Sequence, residues 1–152
     1  MKRIECTNPV RNKWRVRWDV QRKDDITAFY MEHEFNHKPT VDEIQATVTA
    51  WINAQTENKI LSGFTYEDAP VWLSAENQFN YQSACTLAVQ SGGKSLPVTF
   101  KLGTDDKPVY KTFTTVEALQ DFYTKIVRHI LDTVADGWKQ KDAFNPDDYI
   151  AT

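Results

Sequence analysis

The chain has 152 residues, of which 41% are hydrophobic, 26% charged and 12% aromatic, with five glycines and six prolines. This composition excludes disorder, collagen-like repeats and low-complexity sequence, and a compact fold of this length removes roughly 70% of the unfolded chain's accessible surface. The net charge of −3 sets up no field that would draw in nucleic acid or an anionic membrane.

The charge is unevenly spread: residues 1–38 carry nine Lys and Arg against six Asp and Glu, whereas residues 39–152 carry nine against fifteen. The first residues, Met1 to Cys6, turn polar at Thr7 and Asn8, where a secretory signal would need its apolar stretch. No apolar run approaches the ~20 residues that span a bilayer. The expectation is a protein made and folded in the cytoplasm, with no signal peptide and no transmembrane segment. Cys6 and Cys85 are the only thiols and lack a Cys-x-x-Cys spacing, so they read as reduced and non-catalytic.

Trp14 to Val20 alternates apolar and polar residues, the pattern of a strand with one buried face. Its tryptophans, Trp14 and Trp18, should fill the core while Arg15 and Arg17 stay in water. After the polar turn Arg22 to Asp25, Phe29, Met31, His33 and Phe35 repeat at even spacing, which predicts a second strand and a long hairpin. Pro39 ends that strand. Thr40 with Glu43 forms a capping box that starts a helix, and Ile44, Val48, Trp51 and Ile52 share its apolar face.

Two more strand pairs and two more helices follow. Ile60 to Tyr66 and Val71 to Leu73 read as short strands around Glu67 to Pro70, and Ser74 is a good N-cap for the next helix. Tyr81, Ala84, Cys85 and Ala88 form its buried stripe, and Gly92 with Gly93 ends it. Leu96 to Leu102 and Val109 to Phe113 read as a hairpin around Thr104 to Pro108. Thr114 with Glu117 reads as the next capping box. The third helix carries Val116, Leu119, Tyr123, Ile126, Ile130 and Val134 on its core side, with Gly137 at its end and Trp138 closing the cap.

These elements make an α+β chain of three successive hairpin-plus-helix units, antiparallel pairs covered by helices. The domain organisation predicted is an N-terminal hairpin and helix over residues 1–58, an α+β domain over 59–143 and a loosely attached polar tail over 144–152. The units share element order but no residue signature, which argues against a stacked repeat.

His33-Glu34-x-x-His37 matches a zinc-peptidase pattern, with Glu57 twenty positions after the second histidine as a third ligand. The chemistry would be a zinc ion on His33, His37 and Glu57, with Glu34 as the base toward the bound water. The pattern works on a helix, where residues four apart lie one above the other. On a strand the same residues are about 13 Å apart at ~3.3 Å per residue. The alternation of residues 29–35 and the proline after Lys38 favour the strand, so the histidines read as surface residues, and neither a metal nor a cofactor is expected.

Asn77, Gln78, Asn80 and Tyr81 open the second helix, and an amide lies on the same face as its apolar stripe. A buried amide without partners would cost roughly 1–3 kcal/mol, so tying the helix to an adjacent loop or strand end is the leading reading. Contact with a carbohydrate or peptide through the same residues is the functional rival. No Ser-His-Asp set, phosphate-binding glycine loop or paired acid can be assembled from the sequence.

Four words in the second half carry a resemblance: Ile60 to Phe64, Val71 to Tyr81 with its Glu76-Asn77-Gln78-x-Asn80-Tyr81 core, Leu96 to Lys101, and Val109 to Phe113. Residues 60–143 resemble the DUF4376-type domains of phage and prophage proteins, which occur near or within tail-fibre proteins. The resemblance implies an uncharacterised, non-enzymatic structural or accessory tail protein, associated with the virion, whose partners are other phage or tail proteins. It brings no enzymatic residues. The chain lacks the repetitive β-rich shaft of a fibre, so a complete receptor-binding fibre is not expected. The zinc peptidase and a small carbohydrate-binding module are the alternatives. Composition sets no oligomeric state.

Overall fold

Alternation builds the strands and capping signals start the helices. The computed structural model describes residues 2–150 and runs β1 (Ile4–Asn8), β2 (Lys13–Arg22), β3 (Ala28–Phe35), α1 (Val41–Ser62), β4 (Phe64–Tyr66), β5 (Ala69–Val71), α2 (Ala75–Gln90), β6 (Val98–Gly103), β7 (Pro108–Phe113) and α3 (Val116–Asp142), with a 3-10 turn at Pro146–Tyr149. The class is α+β, with strands followed by a helix three times over. All pairings are antiparallel, in one three-stranded sheet of order β1-β2-β3 and two two-stranded sheets, β4-β5 and β6-β7.

The chain divides into two compact units, Met1–Ile52 with Lys139–Thr152, and Asn53–Trp138. In the N-terminal unit, Ile4, Val16 and Trp18 of the sheet pack against Ile44, Val48 and Ile52 of α1, together with Tyr149. The i, i+4, i+8 spacing on α1 supplies the complementary stripe. In the central unit, α2 and α3 enclose an aromatic cluster in which Phe122 lies within 4.9–6.0 Å, centroid to centroid, of Tyr66, Tyr81, Phe100 and Phe113. Offset and edge contacts of this kind add to simple area burial.

Several sequence expectations are corrected here. The first hairpin is a three-stranded meander, because Ile4 to Asn8 pairs with β2; its apolar content is too low to mark it as a strand by alternation. Arg17 does not stay in water: only 7% of its surface is exposed, since Glu5 and Glu32 on the flanking strands close over it. Ile60 to Ser62 complete α1 rather than opening a strand, and the turn to β5 is the pair Glu67 and Asp68, both at positive φ, as a tight hairpin requires.

The cap of α3 is Thr115, whose Oγ1 accepts from Ala118 N at 3.2 Å. Phe113 ends β7 in the core, so Thr114 is spent in carrying the chain from strand to cap. Gly137 lies inside α3. A Cβ there would come within 2.6 Å of Thr56 Oγ1 on α1, so the glycine serves close helix approach rather than termination. Trp138 is 61% exposed and closes no cap.

The expected boundary at residue 58 falls within α1. In the segment read as a polar tail, Phe144 and Tyr149 stack at 5.3 Å and join the N-terminal core; residues 151 and 152 of that segment lie outside the described residues. Thr40 and Ser74 cap as the sequence predicts: Thr40 exchanges hydrogen bonds with Glu43, and Ser74 Oγ accepts from Asn77 N at 3.1 Å.

Candidate functional site

His33 and Glu34 stand side by side on β3, so their side chains leave opposite faces of the sheet. His33 is opposite Val16 and Glu34 opposite Arg15. Glu34 is bonded to Lys13 Nζ across the strands, and this ammonium holds its carboxyl below the usual carboxylate range. His37 lies beyond the end of β3, with Nε2 2.8 Å from Glu43 Oε1. Oε2 of the same carboxylate accepts from Thr40 N at 2.8 Å. That backbone hydrogen bond, followed by His37, lowers the Glu43 pKa, so His37 is an accessory to a helix cap. Glu57 is an exposed residue of α1.

The helical geometry that H-E-x-x-H chemistry requires is replaced by a strand and its following turn. Among the described residues, no group of three or more His, Cys, Asp and Glu side chains is placed to hold a metal ion. Glu34, the candidate base, faces away from His33, the candidate ligand beside it.

Asn77 and Gln78, both half-buried, tie the helix to the turn before it. Asn77 Nδ2 donates to Trp72 O and Gln78 Nε2 to Leu73 O, both at 2.8 Å, fastening the strand-to-helix turn to the first turn of α2. Tyr81 is buried between Phe100 and Phe122, at 4.8 and 5.1 Å, and burial raises its phenol pKa. Asn80 is exposed. The four residues therefore do not share one surface: two brace a turn, one is core and one faces solvent. Asn77 also borders a cleft of about 460 Å³ with Trp72, Lys101 and Thr104, and Trp72 is 54% exposed.

Two other surfaces stand out by what their exposed residues are. The first is the outer face of α2. This 16-residue helix contains one charged residue, Glu76, and its solvent side presents Phe79 at 67% and Leu87 at 54% exposure among Gln82, Ser83, Thr86 and Gln90. A solvated helix face ordinarily carries charge. The signal was available in the sequence as a scarcity of charge combined with apolar residues outside the core stripe.

The second is the free edge of the N-terminal sheet. Phe29 and Met31 on β3 are 60% and 40% exposed, although they share a face with Trp18, the residue opposite Met31. Alternation identifies that face, but not how far α1 extends over it. The opposite face carries an ion ladder: Arg15 and Arg17 each lie between Glu5 and Glu32 at 2.7–3.8 Å, and Lys13 engages Glu34. The hydrogen bond from Arg17 lowers the pKa of Glu5.

No helix among the described residues is long and apolar enough to cross a membrane. No curated protein and no solved structure matches the chain. The model of a domain of unknown function, DUF4376, matches residues 43–152, from the first turn of α1 through α3 and the segment beyond it. With most of its length inside that match, the chain belongs to the DUF4376 family.

Proposed function

We infer that the protein is a non-enzymatic structural or accessory protein of phage or prophage origin, tail-associated, which works through protein contacts. The observation that carries this reading is the charge-poor outer face of α2, whose one charged residue is Glu76 in the first turn, with Phe79 and Leu87 in solvent. Large apolar side chains held in solvent on a helix face with little charge mark an interaction site. The face has amides and hydroxyls between its apolar residues, so the partner is a protein presenting an equally charge-poor helix or strand. A charged partner would lose hydration there without gaining an ion pair. One of the four words that carry the phage resemblance, Val71 to Tyr81, runs from the end of β5 into the first half of α2 and includes Phe79, which supports the same surface.

The test is mass spectrometry of purified particles from a phage or induced prophage encoding the chain, followed by co-purification with its tail proteins. The chain is expected in tail fractions and bound to a tail protein, and Phe79→Glu with Leu87→Glu should abolish the co-purification while leaving the circular dichroism spectrum unchanged. Absence from particles and from every tail complex would sink the reading. A saccharide contact is a second reading, favoured by the exposed Trp72 beside Asn77. Its measure is glycan-array binding that is lost in Trp72→Ala.

A further inference from the structure

An edge strand offers a row of unpaired backbone donors and acceptors, and proteins ordinarily blunt such edges with lysine, proline, bulges or short length. The two edges of the N-terminal sheet differ in this respect. β1 is five residues long and its register breaks between Cys6 and Asn8. β3 is eight residues long, contains neither lysine nor proline, and the extra residue at its one register break belongs to β2, between Trp18 and Gln21. Its two acids, which would repel a neighbouring strand, are already engaged by Lys13, Arg15 and Arg17. Among the described residues β3 pairs with β2 alone.

We propose that the free edge of β3 is a self-association surface: a second copy of the chain adds its own β3 in antiparallel fashion, joining two three-stranded sheets into one. The pairing pattern identifies the occupant. In an antiparallel pair, directly opposed residues lie on the same face, so a two-fold pairing must be centred on a residue. Centring on Glu32 sets Glu32 against its own copy. Centring on His33 sets Glu32 against Glu34. Centring on Met31 avoids both and opposes the whole stretch from Ala28 to Glu34.

In that register Met31 meets Met31, Phe29 meets His33, Tyr30 meets Glu32 and Glu34 meets Ala28. The exposed apolar residues become an apolar strip continuous with the face that holds Trp18. On the other face the Tyr30 hydroxyl of one copy comes beside Glu32 of the other. Arg17 already ties these two side chains within each chain, lying 5.1 Å over the Tyr30 ring and 3.7 Å from Glu32. The surface is distinct from the α2 face and does not depend on the tail assignment.

Analytical ultracentrifugation of the whole chain over a wide concentration range tests the proposal. A reversible dimer is expected. Met31→Lys places two ammonium groups together on the two-fold axis and should weaken the dimer on the order of ten-fold or more, as like charges at an interface do, whereas Val10→Lys, in the β1–β2 turn, should leave it unchanged. Circular dichroism checks that each variant is folded. Met31→Cys in a Cys6→Ser background should form a disulfide between copies under mild oxidant, and Glu34→Cys in the same background should not. A monomer at every concentration, a dimer indifferent to Met31→Lys, or cross-linking at Glu34 instead of Met31 would each overturn it.

Discussion

The N-terminal and central units cover small antiparallel sheets with different chemistry. The N-terminal sheet has three strands and two working faces: Val16 and Trp18 meet α1 on one, and Arg17 sits among Glu5, Glu32 and Tyr30 on the other. The central unit has two separate hairpins, one with strands of only three residues, and such pairs are marginal on their own. Their stability comes from the aromatic cluster around Phe122. One unit therefore divides its stabilisation between an apolar and a charged face, and the other concentrates it in a single apolar centre.

The largest expected effect challenges that centre. Phe122→Ala removes the ring that four other aromatic residues touch, and large-to-small core changes of this type cost about 3–5 kcal/mol. Urea unfolding measures the loss, and hydrogen exchange should localise it to the central unit. Equal loss of protection in β1 to β3 would break the distinction between the units.

The charged face gives a smaller effect. Arg17→Met keeps the aliphatic stem but leaves Glu5 and Glu32 short of a buried cation, at a cost of about 1–3 kcal/mol, discounted from a fully buried pair because both acids are partly exposed. Urea midpoints should report this loss, and an unchanged midpoint would mean that the ladder contributes nothing net. Gly137→Ala brings a methyl within 2.6 Å of Thr56 Oγ1. The resulting strain, about 1–3 kcal/mol, is offset by up to ~1 kcal/mol of helix propensity, and a Thr56→Ala partner should recover most of the loss in a double-mutant cycle.

The smallest effect is a pH dependence. The hydrogen bond from Arg17 lowers the folded pKa of Glu5, so its stabilising contribution is complete above the ordinary carboxylate range and is lost as pH falls through the lowered folded value. Glu5→Gln should flatten the decline of the urea midpoint between neutral and acidic pH. An identical decline in wild type and variant would remove Glu5 from the account. Tyr81 and Cys85, whose pKa values burial raises, should contribute nothing in that acidic window.

The parts of the fold legible in the sequence are those set by neighbours a few positions apart. The strands at Trp14 and Phe29, the capping box at Thr40, the N-cap at Ser74 and the stop at Gly92 and Gly93 all depend on local spacing. The zinc pattern was also resolved locally, since strict alternation and a nearby proline defined the strand. The candidate surfaces were less legible. The scarcity of charge on α2 and the place of Phe79 and Leu87 outside its core stripe can be read from the sequence, but not how exposed they are, and alternation cannot tell that, among the described residues, β3 pairs with β2 alone.

Local patterning thus determined the class, the order of elements and most helix starts, because caps and periodicity act within one or two turns of chain. Tertiary structure decided the burial of Arg17, the extension of α1 through Ser62, the interior place of Gly137 and the docking of Phe144 and Tyr149. Each of these depends on a group distant in sequence that supplies a counter-charge, a close approach or an apolar surface, and none of those is encoded by the residues next to it.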